Sequence, residues 1–166
     1  MKIYKAYKYR LKASPEHISL FIKQAGCCRF VWNKALEIQK KRLDSGDGIL
    51  RYVEMSKLLT GWKREHETAF LADASSPTMQ QSLIFLDRAI KDAFNKKSQK
   101  RFPRFKKKGR CTDSFRYTQS FKLMGNTIYL PKIGWVKFIK SREIHGSPKN
   151  VTVSRRGEHW YVSILN

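Results

Sequence analysis

The sequence predicts an α+β fold: a small β-barrel with three helices inserted after its first strand. Three observations predict it. Residues 3–12 alternate with a period of two. Residues 14–94 carry apolar side chains at three- and four-residue spacing in three runs, separated by turn and cap signals. From Phe121 onward, strand and hairpin signals return. A strand, then helices, then several strands is an element order in which late strands can join the first one around a common core.

In the first strand, Ile3, Lys5, Tyr7, Tyr9 and Leu11 share one face, and Tyr4, Ala6, Lys8, Arg10 and Lys12 share the other. The cations on it are either a solvated face or contacts to a phosphate backbone. Ser14-Pro15-Glu16 starts the first helix, with Ser as N-cap, Pro in the first turn and Glu at the positive end of the helix dipole. Its buried stripe is Ile18, Phe21, Ala25, Cys28, Trp32 and Leu36. Gly26 is a point at which it could kink or divide, and Asp44-Ser45-Gly46-Asp47-Gly48 ends it. A second helix is expected from about Tyr52 to His66, burying Met55, Leu58, Leu59 and Trp62, followed by a loop rich in Ala, Asp and Ser. Ser76-Pro77 repeats the start signal for a third helix, whose apolar face is Met79, Leu83, Leu86, Ile90 and Phe94. Beyond Asn95, a hairpin is expected over 121–130 about Gly125-Asn126. A strand follows at 134–138, then a second hairpin, 150–154 and 159–164, about Arg155-Arg156-Gly157-Glu158. The expected domain limits are therefore 1–13 for the first strand, 14–95 for the helical insertion, and 96–166 for a basic linker and the rest of the barrel.

The chain has 166 residues, enough for one compact unit or two small ones sharing a core. Its 35 Lys and Arg against 13 Asp and Glu give a net charge of +22, which repels itself when folded and calls for a polyanionic partner. A membrane partner is disfavoured, because no apolar stretch approaches the ~20 residues needed to span a bilayer. The N-terminus lacks the apolar core of a signal peptide, so a cytoplasmic, nucleoid-associated location is expected. Cys27, Cys28 and Cys111 have no metal-ligand spacing, nor do His17, His66, His145 and His159. No metal, cofactor or catalytic residue is expected.

The excess charge is uneven along the chain: residues 1–94 carry +7 and residues 95–166 carry +15. Its densest part is 96–110, KKSQKRFPRFKKKGR, with nine cations and no acid. Long cationic side chains reach phosphates, while Phe102 and Phe105 can stack on bases or pin the segment to a core. In the helical region Tyr52 and Ser56 lie one turn apart, and Ser76 and Gln80 bracket the start of the third helix. Glutamine can read adenine, and serine or tyrosine can touch base edges or phosphate, although Ser76 also serves as an ordinary N-cap.

Five segments stand out in order along the chain: Lys5-Ala6 with Arg10-Leu11, Gly26-Cys27-Cys28-Arg29-Phe30-Val31-Trp32-Asn33, Gln80-Gln81-Ser82-Leu83, Phe102-Pro103-Arg104-Phe105-Lys106, and Leu130-Pro131-Lys132-Ile133-Gly134-Trp135-Val136. Together they resemble the N-terminal part of the TnpB (OrfB) family, insertion-sequence-encoded RNA-guided nucleases related to type V CRISPR effectors. The resemblance implies a wedge domain, an oligonucleotide-binding-type barrel that holds guide RNA, with an inserted helical recognition domain long described as helix-turn-helix. It implies that Tyr52, Ser56, Ser76, Pro77, Gln80 and Ser120 are counterparts of residues that contact a short motif in double-stranded DNA. The RNA or phosphate side is then Lys5, Lys8, Arg10, Arg29, Lys97, Lys100, Arg101, Arg104, Phe105, Lys106, Lys107, Lys108, Arg110, Arg155 and Arg156. Family members continue into a nuclease domain with three acidic residues on two metal ions, whereas residues 95–166 hold only Asp113, Glu143 and Glu158. Cleavage by this stretch alone is therefore not expected. Two other readings remain: a freestanding helix-turn-helix regulator of duplex DNA, and the recognition half of a split nuclease whose catalytic domain is a separate chain.

Overall fold

The computed structural model describes residues 3–166, and the fold is α+β. Strand β1 (Ala6–Lys12) leads into helix α1 (Pro15–Asp44), helix α2 (Tyr52–Trp62), a 3₁₀ helix (His66–Asp73) and helix α3 (Ser76–Phe94). Six strands follow: β2 (Ser114–Tyr117), β3 (Lys122–Met124), β4 (Thr127–Leu130), β5 (Gly134–Phe138), β6 (Asn150–Arg156) and β7 (His159–Leu165). The chain packs into two compact units. One consists of the residues up to Ala25 with Thr112–Asn166, and the other of Gly26–Cys111.

In the first unit all strands are antiparallel, in the order β2-β6-β7-β1-β5-β4-β3. β1 is the hinge of the sheet: residues 6–10 pair with β7, and Leu11 and Lys12 pair with β5. The edges β2 and β3 are joined by only residues 118–121. In a flat sheet they would stand about 29 Å apart, six strand spacings of ~4.8 Å. The five steps from Tyr117 to Lys122 reach at most about 18 Å, so the sheet curls.

The strands expected to form a small barrel make one curled, unclosed sheet. No ladder joins β2 to β3 among the described residues, and the sheet is open. Edges of three and four residues offer little to pair. From β2, Tyr117 Oη donates to the carbonyl of Pro131, the residue after β4, 2.9 Å away. The concave face is apolar, with Tyr7, Tyr9, Leu11, Phe115, Ile128, Val136, Phe138, Val151, Val153, Val162 and Ile164 all buried. The first turns of α1 add Phe21, whose ring lies 5.2 Å from Trp160 and 6.1 Å from Phe115.

Ser14 caps α1 as expected. Its Oγ accepts from the His17 amide at 3.1 Å, and His17 Nδ1 accepts from the Ser14 amide at 3.3 Å. His17 thus fills the place that Glu or Gln takes in a capping box. Gly26 does not divide the helix, which runs unbroken for 30 residues.

In the helical unit, Met55, Leu59 and Trp62 of α2 and Met79, Leu83, Leu86 and Ile90 of α3 are buried, but Phe94 is exposed and Leu58 half-buried. α2 stops at Trp62 rather than His66, and the expected loop contains the 3₁₀ helix. Thr68 Oγ1, buried, donates to the Trp62 carbonyl at 2.6 Å and holds that turn against α2. The N-cap of α3 is Ser75, not Ser76. Ser76 Oγ instead accepts from Lys63 Nζ, whose pKa is lowered by burial. After α1, the buried Gln39 clamps the returning chain: its Nε2 donates to the Leu50 carbonyl and its Oε1 accepts from the Leu50 amide, both at 2.8 Å. No helix among the described residues is long and apolar enough to cross a membrane.

Candidate nucleic-acid interface

The basic run is a built surface of the helical unit. Past α3, Asn95 Oδ1 accepts from the Lys97 amide at 3.0 Å, which turns the chain. Lys100 reaches back to Asp92 at 3.0 Å, an exposed pair of small energetic weight. Phe102 is half-buried and meets the Phe94 ring edge-on, with centroids 6.1 Å apart.

The next residues lie along α1. Trp32 Nε1 donates to the Arg104 carbonyl at 2.9 Å. Asn33 Nδ2 donates to the Lys106 carbonyl and Asn33 Oδ1 accepts from the Lys106 amide, both at 2.8 Å. This amide clamp repeats the Gln39 device and satisfies the backbone of a segment that Pro103 keeps from forming a helix. The chain then turns at 107–111, where the Arg110 and Cys111 amides donate to the Lys107 carbonyl. The Arg29-to-Asn33 stretch and the Phe102-to-Lys106 stretch, some 70 residues apart in sequence, therefore form one structure.

The result is an open groove of about 550 Å³ lined by Lys40, Arg104, Phe105, Lys106, Lys107, Arg110 and Cys111. Phe105 is exposed on it, with Lys40 Nζ 4.6 Å from its ring centre. Phe102 thus pins the segment while Phe105 faces solvent. Lys106 Nζ sits 4.1 Å from the Trp32 ring centre. Burial pushes its pKa down, opposed by the negative forms of Cys111 and Cys28. Arg104, Lys107, Lys108 and Arg110 are exposed, as are Lys97, Lys100 and Arg101, and Arg29 is half-buried on α1. The groove can seat a run of phosphates, with one aromatic face beside them.

Sequence reasoning missed Lys40, and it missed the positioning roles of Trp32 and Asn33. A signal existed: Asn33 and Lys40 are seven residues apart, hence on one helix face.

The residues expected to contact duplex DNA are divided. Tyr52 and Ser56 lie one turn apart on α2, and Ser76, Pro77 and Gln80 occupy the first turns of α3, all half-buried. Ser120 belongs to the sheet unit, exposed, with φ of 66°, in the loop between β2 and β3. On the sheet, Lys8 and Arg10 point outward with Lys12, and Lys8 Nζ is 5.0 Å from the Tyr161 ring centre. The Lys5 backbone pairs with Asn166. Arg155 and Arg156 are exposed at the β6–β7 turn, where Arg155 Nε donates to the Gly157 carbonyl at 2.9 Å. Among the described residues no cysteine pair forms a disulfide, and no three His, Cys, Asp or Glu converge as metal ligands would.

Comparison with known proteins places these features in context. A family model described as a helix-turn-helix domain, of the OrfB IS605 type, matches residues 1–47. The described part of that stretch folds as β1 and the single helix α1, with no turn between two helices. Two similar proteins bear the name putative RNA-guided DNA endonuclease. InsQ of Escherichia coli (strain K12) is 42% identical over 99% of this chain and 40% of its own length. A protein of Streptomyces pristinaespiralis is 33% identical over 99% of this chain and 42% of its own length. Virulence protein VsdF of Salmonella dublin is 31% identical over 63% of this chain and 93% of its own length. The chain thus spans about two fifths of the endonuclease-named relatives it matches.

Proposed function

The chain belongs to the TnpB/OrfB family of insertion-sequence-encoded proteins, and from that premise we propose that it binds guide RNA and a short target-adjacent DNA motif, without itself cleaving. The observation that carries the RNA part is the clamped groove. Trp32 and Asn33 fix the backbone of Arg104 and Lys106, so the main chain that carries the cations around Phe105 is ordered before any ligand arrives. Pre-ordering lowers the entropy cost of binding. The exposed Lys107, Lys108 and Arg110 take phosphates of the guide, together with Arg104, Lys97, Lys100 and Arg101. On the sheet, Lys5, Lys8, Arg10, Arg155 and Arg156 serve the same polyanion, so the sheet does the work of a wedge domain.

The DNA motif is read by Tyr52, Ser56, Ser76, Pro77, Gln80 and Ser120. Gln80, near the start of α3, is the residue suited to a bidentate contact with adenine. Its removal costs about 1–3 kcal/mol at one base position and leaves the salt dependence unchanged. Two-metal cleavage requires converging carboxylates, so we assign these residues recognition alone, the cutting step falling to a nuclease domain in the same protein or on a partner chain.

The test is native purification followed by identification of the bound nucleic acid. Co-purified structured RNA, released by salt and lost in the Lys107/Lys108/Arg110→Gln triple variant, is the expected result. A chain that carries no RNA and shows no preference for structured RNA over random duplex contradicts the reading and favours a duplex-DNA regulator. DNA that stays intact when magnesium is added supports recognition without cleavage.

A further inference from the structure

On the outward face of the sheet, Lys12 and the residues of β3, β4 and β5 have no role in the proposed function. On β3, β4 and β5 the inward positions are filled by Ile128, Leu130, Val136 and Phe138, all buried. Period two then sends Lys122, Tyr129, Trp135 and Lys137 to the opposite face. The register aligns them in rows. Lys122 pairs with Tyr129 and Tyr129 with Trp135 in one row, and Thr127 pairs with Lys137 and Lys137 with Lys12 in the next. The Tyr129 and Trp135 rings are 5.5 Å apart, inclined at 54°, and Lys122 Nζ is 5.9 Å from the Tyr129 centre.

Two features of this face are costly without a ligand. Trp135 is 45% exposed, while Trp32, Trp62 and Trp160 are all buried. Lys12 and Lys137, directly opposite on neighbouring strands, are like charges in a position that destabilises a sheet. A ligand with a flat ring system and a negative backbone relieves both. We propose that Trp135 and Tyr129, flanked by Lys122, Lys137 and Lys12, form a stacking site for an unpaired nucleobase of a single-stranded nucleic acid. A duplex does not fit this chemistry, because its base faces are covered by their neighbours, whereas unpaired bases offer a free face to an aromatic ring. The inference rests on the nucleic-acid reading of the chain and adds a site that discriminates bases from bare phosphate.

Trp135 also serves as the reporter, being the exposed tryptophan of the four. The intact chain is titrated with a ten-residue oligouridylate and with an abasic ribose-phosphate polymer of equal length, and tryptophan fluorescence and affinity are followed. Oligouridylate should quench the exposed tryptophan and bind more tightly than the abasic polymer. Trp135→Ala should abolish the quench and weaken oligouridylate binding about five- to 150-fold, the range for one stacked base, with the salt slope kept. Trp135→Phe, which retains a ring, should recover part of the affinity. Lys137→Gln should keep the preference for bases and reduce the salt slope by about 0.7. Unchanged circular dichroism and melting verify that the substitution on this exposed face leaves the fold intact. Equal affinity of wild type and Trp135→Ala for oligouridylate, with steep salt dependence in both, overturns the stacking site and leaves the phosphate groove standing. No binding of either polymer at any salt overturns the nucleic-acid reading itself.

Discussion

At the residue scale, Asn33 ties the basic segment to α1. Its side-chain amide makes both hydrogen bonds that a neighbouring strand would make to Lys106. Asn33→Ala leaves that backbone donor and acceptor unpaired. It should destabilise the helical unit by about 1–3 kcal/mol, with loss of exchange protection at the Lys106 amide as the local readout. Lys106 carries the second prediction. Burial lowers its pKa below the ordinary 10.5, so the unfolded chain binds more protons in the window between the lowered value and 10.5. Stability therefore rises with pH through that window, and the penalty is fully present below it. Lys106→Met keeps the apolar stem over Trp32 and removes the buried charge. Its denaturation midpoint at neutral pH should be equal to or higher than wild type, and the difference should shrink as pH approaches 10.5. Both segments stood out in the sequence, but nothing in it joined Trp32 and Asn33 to Arg104 and Lys106. A side-chain-to-backbone clamp across some 70 residues leaves no periodic trace.

At the element scale, long helices and hairpins were legible and short elements were not. The β3–β4 turn is Gly125-Asn126, with Gly125 at φ 59° as a tight hairpin requires; the β6–β7 hairpin forms as expected, but its turn is only Gly157-Glu158, since Arg155 and Arg156 pair with Trp160 and His159 as the end of β6. β2 was missed because Ser114–Tyr117 gives only two inward residues, Phe115 and Tyr117, directly after a run dominated by charge. The 3₁₀ helix was missed because Thr68 holds it by a side-chain bond to Trp62, with no helical stripe of its own. Gly26 was a point at which α1 could kink or divide, and the helix runs through it undivided. A methyl group there would meet Arg29 Nη2 at 3.6 Å, an ordinary contact. Gly26→Ala should therefore stabilise the chain by about 0.5–1 kcal/mol, read as a raised melting temperature. Ser14→Ala removes the acceptor for the His17 amide and should cost about 1 kcal/mol.

At the scale of the whole molecule, the charge belongs to both units. The composition shift at Asn95 points to a strongly basic barrel and a milder helical insertion. Packing divides the chain elsewhere, after Ala25 and after Cys111, and carries the basic run into the helical unit. The segments up to Ala25 and from Thr112 hold 15 cations and 4 acids, and Gly26–Cys111 holds 20 and 9, so each unit carries +11. Linear composition does not say which core the run joins, because the clamp to α1, not the run's own sequence, holds it. The most direct test of polyanion binding through the groove is the affinity of the intact chain for structured RNA between 50 and 200 mM salt, with and without the Lys107/Lys108/Arg110→Gln substitutions. Six to ten phosphate contacts predict a loss of about three to five decades in the wild type, and a log–log slope shallower by about two to three in the variant. A wild-type affinity indifferent to salt, or a slope that the three substitutions leave unchanged, would contradict it.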